Sequence, residues 1–71
     1  TTIEYSIPIR SFVNITIYDL LGREIIILVN AAKNAGNYSV QFNAESFTSG
    51  IYLYKMTSGK FTEVKKMILL K

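Results

Sequence analysis

The side chains able to do chemistry in this sequence are five carboxylates, eight basic groups and the hydroxyls of serines, threonines and tyrosines. The acids stand far apart, at Glu4, Asp19, Glu24, Glu45 and Glu63. Acyl transfer needs a nucleophile with a base beside it. The chain has no His and no Cys, so neither an imidazole base nor a thiolate is available. No spacing supports a Ser–Lys dyad. Two carboxylates serve a glycosidase, but 71 residues leave almost no room for a sugar cleft. The same absences remove imidazole and thiolate metal ligands, and the scattered acids do not suggest a carboxylate site. Gly22, Gly36, Gly50 and Gly59 stand alone at turn signals, so no phosphate loop is written here. The sequence predicts a domain that is not an enzyme, with no catalytic residue, no metal and no cofactor.

The basic residues do not make a nucleic-acid binder either. Arg10, Arg23, Lys33, Lys55, Lys60, Lys65, Lys66 and Lys71 are spread along the chain, and only Lys65 and Lys66 are adjacent. Nucleic-acid binders concentrate charge into a stripe or patch. The five Tyr and four Phe read as core and cross-strand residues rather than stacking platforms. The net charge of +3 equals the contribution of Lys65, Lys66 and Lys71 alone. No membrane span is expected, because the longest apolar run, Ile25 to Val29, falls far short of the roughly 20 residues a membrane helix needs. The sequence opens directly on a strand pattern with no leader and no Met, and is expected to be a piece of something larger, a domain cut from a longer protein or a processed product.

Whatever these residues do, β-structure must position them. The chain is rich in Ile, Val, Tyr, Phe and Thr and is broken by short turn signals. Alternation predicts a strand over Thr2 to Ile7, ended by Pro8, which has no N–H to give a ladder. A second strand runs Phe12 to Tyr18, with Val13, Ile15 and Ile17 on one face. Asp19 to Gly22 reads as a hairpin turn. A third strand follows, Arg23 to Val29, apolar on both faces from Ile25 to Val29. It is expected to be covered on both sides or to touch a partner. Asn30 to Gly36 reads as a loop. A fourth strand covers Asn37 to Asn43, with Tyr38, Val40 and Phe42 on one face. A fifth covers Ile51 to Thr57, and Ser58-Gly59 turns into a last strand, Phe61 to Leu70. The register of that strand is ambiguous: if Val64, Ile68 and Leu70 face inward, so does Lys66, and if Met67 and Leu69 do, so do Glu63 and Lys65. A β-bulge near Lys65-Lys66 is one way out. Strands at this spacing predict a single all-β domain over residues 1–71, a sandwich or barrel.

The turns carry a family likeness. Ile15-Thr16-Ile17-Tyr18-Asp19-Leu20-Leu21-Gly22-Arg23-Glu24 resembles the hairpin of the C-terminal sorting domain of type IX secretion substrates. The likeness continues through Leu28-Val29-Asn30, Ala35-Gly36-Asn37-Tyr38, Phe42-Asn43-Ala44, Ser49-Gly50-Ile51-Tyr52-Leu53-Tyr54 and Gly59. It closes on Lys65-Lys66-Met67-Ile68-Leu69-Leu70-Lys71. The resemblance implies an immunoglobulin-like antiparallel β-sandwich of about six to seven short strands. It also implies a module on larger exported proteins of Bacteroidetes, Chlorobi and related bacteria. Such a module is read by an outer-membrane translocon after export to the periplasm. A sortase-like peptidase then commonly removes it and attaches the cargo to the cell surface. By the same likeness, Gly22, Arg23, Gly36, Tyr38, Gly50, Tyr52, Gly59, Lys65, Lys66 and Lys71 match the sorting motif. The lysines are the better recognition candidates, since they reach solvent and attract acidic surfaces. Protection of an edge strand is an equally good account of the same three lysines.

One departure has consequences. The family usually carries an Asn-Pro-rich segment just before the strand that begins here with Thr1-Thr2-Ile3-Glu4-Tyr5. Its absence leaves a sheet edge expected to be unpaired, a template for strand addition and self-association into an oligomer or filament. A structural Ig-like domain without a sorting role, resembling that of the flagellar hook-capping protein, is the alternative reading.

Overall fold

A computed structural model of the chain describes residues 2–43, 45 and 47–70. Its described residues form six strands: β1 (Thr2–Ile7), β2 (Ser11–Tyr18), β3 (Glu24–Lys33), β4 (Gly36–Gln41), β5 (Gly50–Ser58) and β6 (Phe61–Leu69). They make two antiparallel sheets, one of two strands in the order β1-β4 and one of four in the order β3-β2-β5-β6. The chain is all-β, and the two layers fit an immunoglobulin-like sandwich.

Alternation decides which side of each strand enters the core. Ile3, Tyr5 and Ile7 of β1 are buried between exposed Thr2, Glu4 and Ser6. They face Val13, Ile15 and Ile17 of β2, each fully buried. One group of contacts joins Ile3, Ile17, Phe42, Tyr52, Met67 and Leu69. A second joins Tyr5, Ile7, Val13, Ile15, Val29 and Met56. Each group takes residues from both sheets, so neither sheet has a buried face without the other. Thr16 points to the opposite side of β2 and is still buried; its hydroxyl donates to Asn14 Oδ1 at 2.7 Å.

Three local expectations need correction. The segment Asn30 to Lys33 is not loop but the end of β3, with Asn30 opposite Asn14 and Lys33 opposite Ser11. Pairing with β2 overrides the weak strand preference of Asn-Ala-Ala-Lys. No bulge interrupts β6: its register against β5 runs unbroken from Ser58 opposite Phe61 to Gly50 opposite Leu69. The irregularities lie instead in β3, where the register against β2 shifts between Ile15 and Thr16 and again between Ile17 and Tyr18. Those shifts resolve the doubly apolar run. Each skips a β3 residue, turning parts of both faces inward. Val29 is buried and Ile25 and Leu28 pack against the core, while Ile26 and Ile27 stay exposed.

Candidate functional site

The motif residues fall into three structural groups. The first group shapes the turns. Gly22 has φ +83° and closes a turn in which its N–H donates to the Asp19 carbonyl at 3.1 Å. A residue with a Cβ is strained in that region. Asp19 organises the rest of the loop. Its Oδ1 accepts from the N–H of Leu21 at 2.9 Å and of Arg23 at 3.0 Å, and its Oδ2 accepts from Arg23 Nε at 2.7 Å. Arg23 is thus a turn clamp, ion-paired locally. Gly59, with φ +60°, stands first in the two-residue connection between β5 and β6, as a type II′ hairpin requires. Gly36 and Gly50 open β4 and β5, opposite Ile7 and Leu69.

The Asp19 carboxyl is held below the usual carboxylate range. The Arg23 backbone N–H is the largest cause, and the Arg23 side chain and the Leu21 N–H add to it against a desolvation effect. A carboxyl whose folded pKa is depressed stabilises the fold above its unfolded pKa and loses that contribution as pH falls through the folded value. Acid titration below about pH 4 is therefore expected to loosen this hairpin. Asp19→Asn removes the ionisable group while retaining an acceptor. Its melting temperature should be lower at neutral pH and should fall less on acidification than that of the unsubstituted chain.

The second group comprises two tyrosine struts. Tyr52 is 8% exposed, and its hydroxyl donates to the Thr48 carbonyl at 2.9 Å. Tyr38 donates to the Asn34 carbonyl at 2.7 Å. Its ring stacks on Tyr5, with centroids 5.4 Å apart, and lies under Lys33 Nζ at 5.3 Å. Both hydroxyls reach back four residues to the main chain, the contact that pins a chain crossing in immunoglobulin-like sandwiches. Both tyrosines are accounted for by the fold. Tyr52→Phe should cost about 1 kcal/mol, the usual net worth of one such bond, measured by urea denaturation.

The third group is the basic end, which the register of β6 splits. Lys65 shares a face with buried Met67 and Leu69, and Lys66 points to the other side. Lys65 Nζ lies 2.9 Å from Glu63 Oε1. That hydrogen bond is the main cause raising the Lys65 pKa, followed by Tyr54. The pair sits in a groove of about 660 Å³ that also involves Tyr5, Tyr38, Tyr54 and Phe61, lined by residues of β1 and β4 from one sheet and of β5 and β6 from the other. Lys66 stands opposite Leu53 with no ion pair among the described residues. Lys71 lies outside the described residues. Lys55, which sequence reasoning passed over, is on the same outer face as Lys66, opposite Val64.

Among the described residues, no three acids, histidines or cysteines gather in a way that would hold a metal ion. No helix there is long and apolar enough to cross a membrane.

The family described as "Secretion system C-terminal sorting domain" matches residues 1–70. The chain belongs to this family. No curated protein and no solved structure matches it. As a type IX sorting domain, it carries the address for export through the periplasm and outer membrane to the cell surface or the medium. The turn signals that first suggested the family are, in this sorting domain, the residues that close its hairpins and fasten its crossings.

Proposed function

We propose that the domain acts as a non-catalytic handle: an outer-membrane translocon recognises it, and a sortase-like peptidase then processes the protein that bears it. The family match over nearly the whole chain carries this reading. The geometry supports it, because the motif's glycines, tyrosines and Arg23 serve the fold and leave a solvent-facing lysine for recognition. The test is to fuse the chain to a periplasmic reporter in a host that has the type IX system. Export of the reporter to the surface is the expected result, and a reporter retained in the periplasm refutes the reading. Deleting Lys65 to Lys71 is a poor test, since it also removes Met67 and Leu69, at 8% and 3% exposure, from the core. Charge substitutions that spare the core separate sorting from a purely structural Ig-like role.

Self-association is a second reading, favoured by the two-stranded sheet. The side of β1 not bonded to β4 has no strand beside it among the described residues. Strand addition there would extend the smaller sheet. Light scattering after size-exclusion chromatography tests it: a monomer at high concentration refutes the idea.

A further inference from the structure

The outer face of β5 and β6 combines two cations, with no ion pair among the described residues, and a set of exposed apolar side chains. Lys66 stands opposite Leu53 and Lys55 opposite Val64, so the two ammonium groups occupy diagonal cross-strand positions. Ile51 faces Ile68 two residues further along the ladder. Val64 is 56% exposed and Ile68 61%. The only acid on these two strands, Glu63, lies on the inner face and is bound to Lys65. Neither Lys55 nor Lys66 has an acidic partner among the described residues.

Edge protection does not explain this pattern. A lysine on an edge strand blocks pairing with other chains, which would account for Lys66 on β6. It does not account for Lys55, because β5 is bonded on both sides, to β2 and to β6. Nor does edge protection call for isoleucine and valine beside the charge. Contiguous exposed apolar residues framed by polar ones mark a contact surface. The ladder beneath them is unbroken, so the side chains are presented from a regular platform.

We infer that this outer face docks onto an acidic, partly apolar protein surface. Lys55 and Lys66 meet carboxylates there, and Ile51, Val64 and Ile68 lose their contact with water. Charge complementarity sets the partner's sign, since the β5–β6 part of the face offers two cations and no anion, the exposed Glu24 on the same side of the sheet standing away on β3 beyond Tyr18. The assignment rests on the sorting reading for the partner's setting, the export machinery, and adds which side of the domain that machinery meets.

The reporter fusion separates the two claims. Lys55→Glu with Lys66→Glu should reduce surface reporter by about tenfold or more. The Arg pair at the same positions should export normally, as should Lys60→Glu, which alters charge in the β5–β6 turn. Thermal melts of each purified chain establish that the variants fold. If the unsubstituted tail exports and the folded double-Glu variant exports equally well, the docking face is wrong while sorting stands. If the unsubstituted tail fails to export, sorting is wrong. The face is then judged by NMR titration with a synthetic peptide of alternating glutamate and leucine. Shifts confined to residues 51, 53, 55, 64, 66 and 68 and lost in the double-Glu variant support it, and any other pattern overturns it. Phosphatidylglycerol vesicles are the other probe. Co-sedimentation that the double-Glu change abolishes would replace the protein partner with a lipid surface.

Discussion

Phe42→Ala should lower the domain's stability by about 3–5 kcal/mol. Phe42 is 2% exposed and lies just beyond β4, where it joins Ile3, Ile17, Tyr52, Met67 and Leu69. Its ring packs on Phe47 at 5.2 Å. Truncating a buried Phe to Ala costs about 3–5 kcal/mol, the transfer loss plus the cavity. A domain of 71 residues has about 4–10 kcal/mol in total. The change therefore consumes about 30% of the stability at the least, and three quarters or more of it at the lower bound. Urea denaturation followed by circular dichroism measures it. An unchanged midpoint would mean that the two sheets are not held together through this residue.

Ending the chain after Lys66 should unfold it. The lost residues include Met67 and Leu69, both in the same core group. Each is worth about 2–5 kcal/mol by comparison with substitution to alanine. The pairs Tyr52 with Met67, Ile51 with Ile68 and Gly50 with Leu69 go too. The sum of about 4–10 kcal/mol matches the whole stability of a domain this size. One-dimensional proton NMR is a direct readout: the truncated chain should lose its shifted methyl signals, and a dispersed spectrum would contradict the expectation. Loss of export in such a truncation would report unfolding before it reported recognition.

Period-2 alternation made much of this legible. β1 runs Thr2–Ile7 as its pattern predicts, because Ile3, Tyr5 and Ile7 need one covered face and Pro8 ends the ladder. The inward side of Val13, Ile15 and Ile17 was readable for the same reason. Pairing decided what alternation left open. Nothing local in Asn30 to Lys33 requires a strand; its partner β2 does. The choice of face in β6 was a contest between two apolar sets, Val64 and Ile68 against Met67 and Leu69. The second set wins, because register brings Met67 opposite Tyr52 and against the core. At the site, the resemblance drew attention to adjacent Lys65 and Lys66. Adjacency along a strand is separation in space, and the significant neighbour of Lys66 is Lys55, eleven residues away in sequence but diagonal to it across the ladder. A pairing register between β5 and β6, laid out from the Gly59 turn, would have found it.

The place of Met67 and Leu69 in the core also sets a timetable. Synthesis runs from the N-terminus, at about 5–20 residues per second. The smaller sheet waits for residue 41, since β1 closes only against β4. The larger sheet and the core wait for β6. Until residue 69 has emerged, the earlier strands lack the contacts that make the fold favourable. A chain threaded N-terminus first through a narrow channel therefore cannot complete this fold until residue 69 is through.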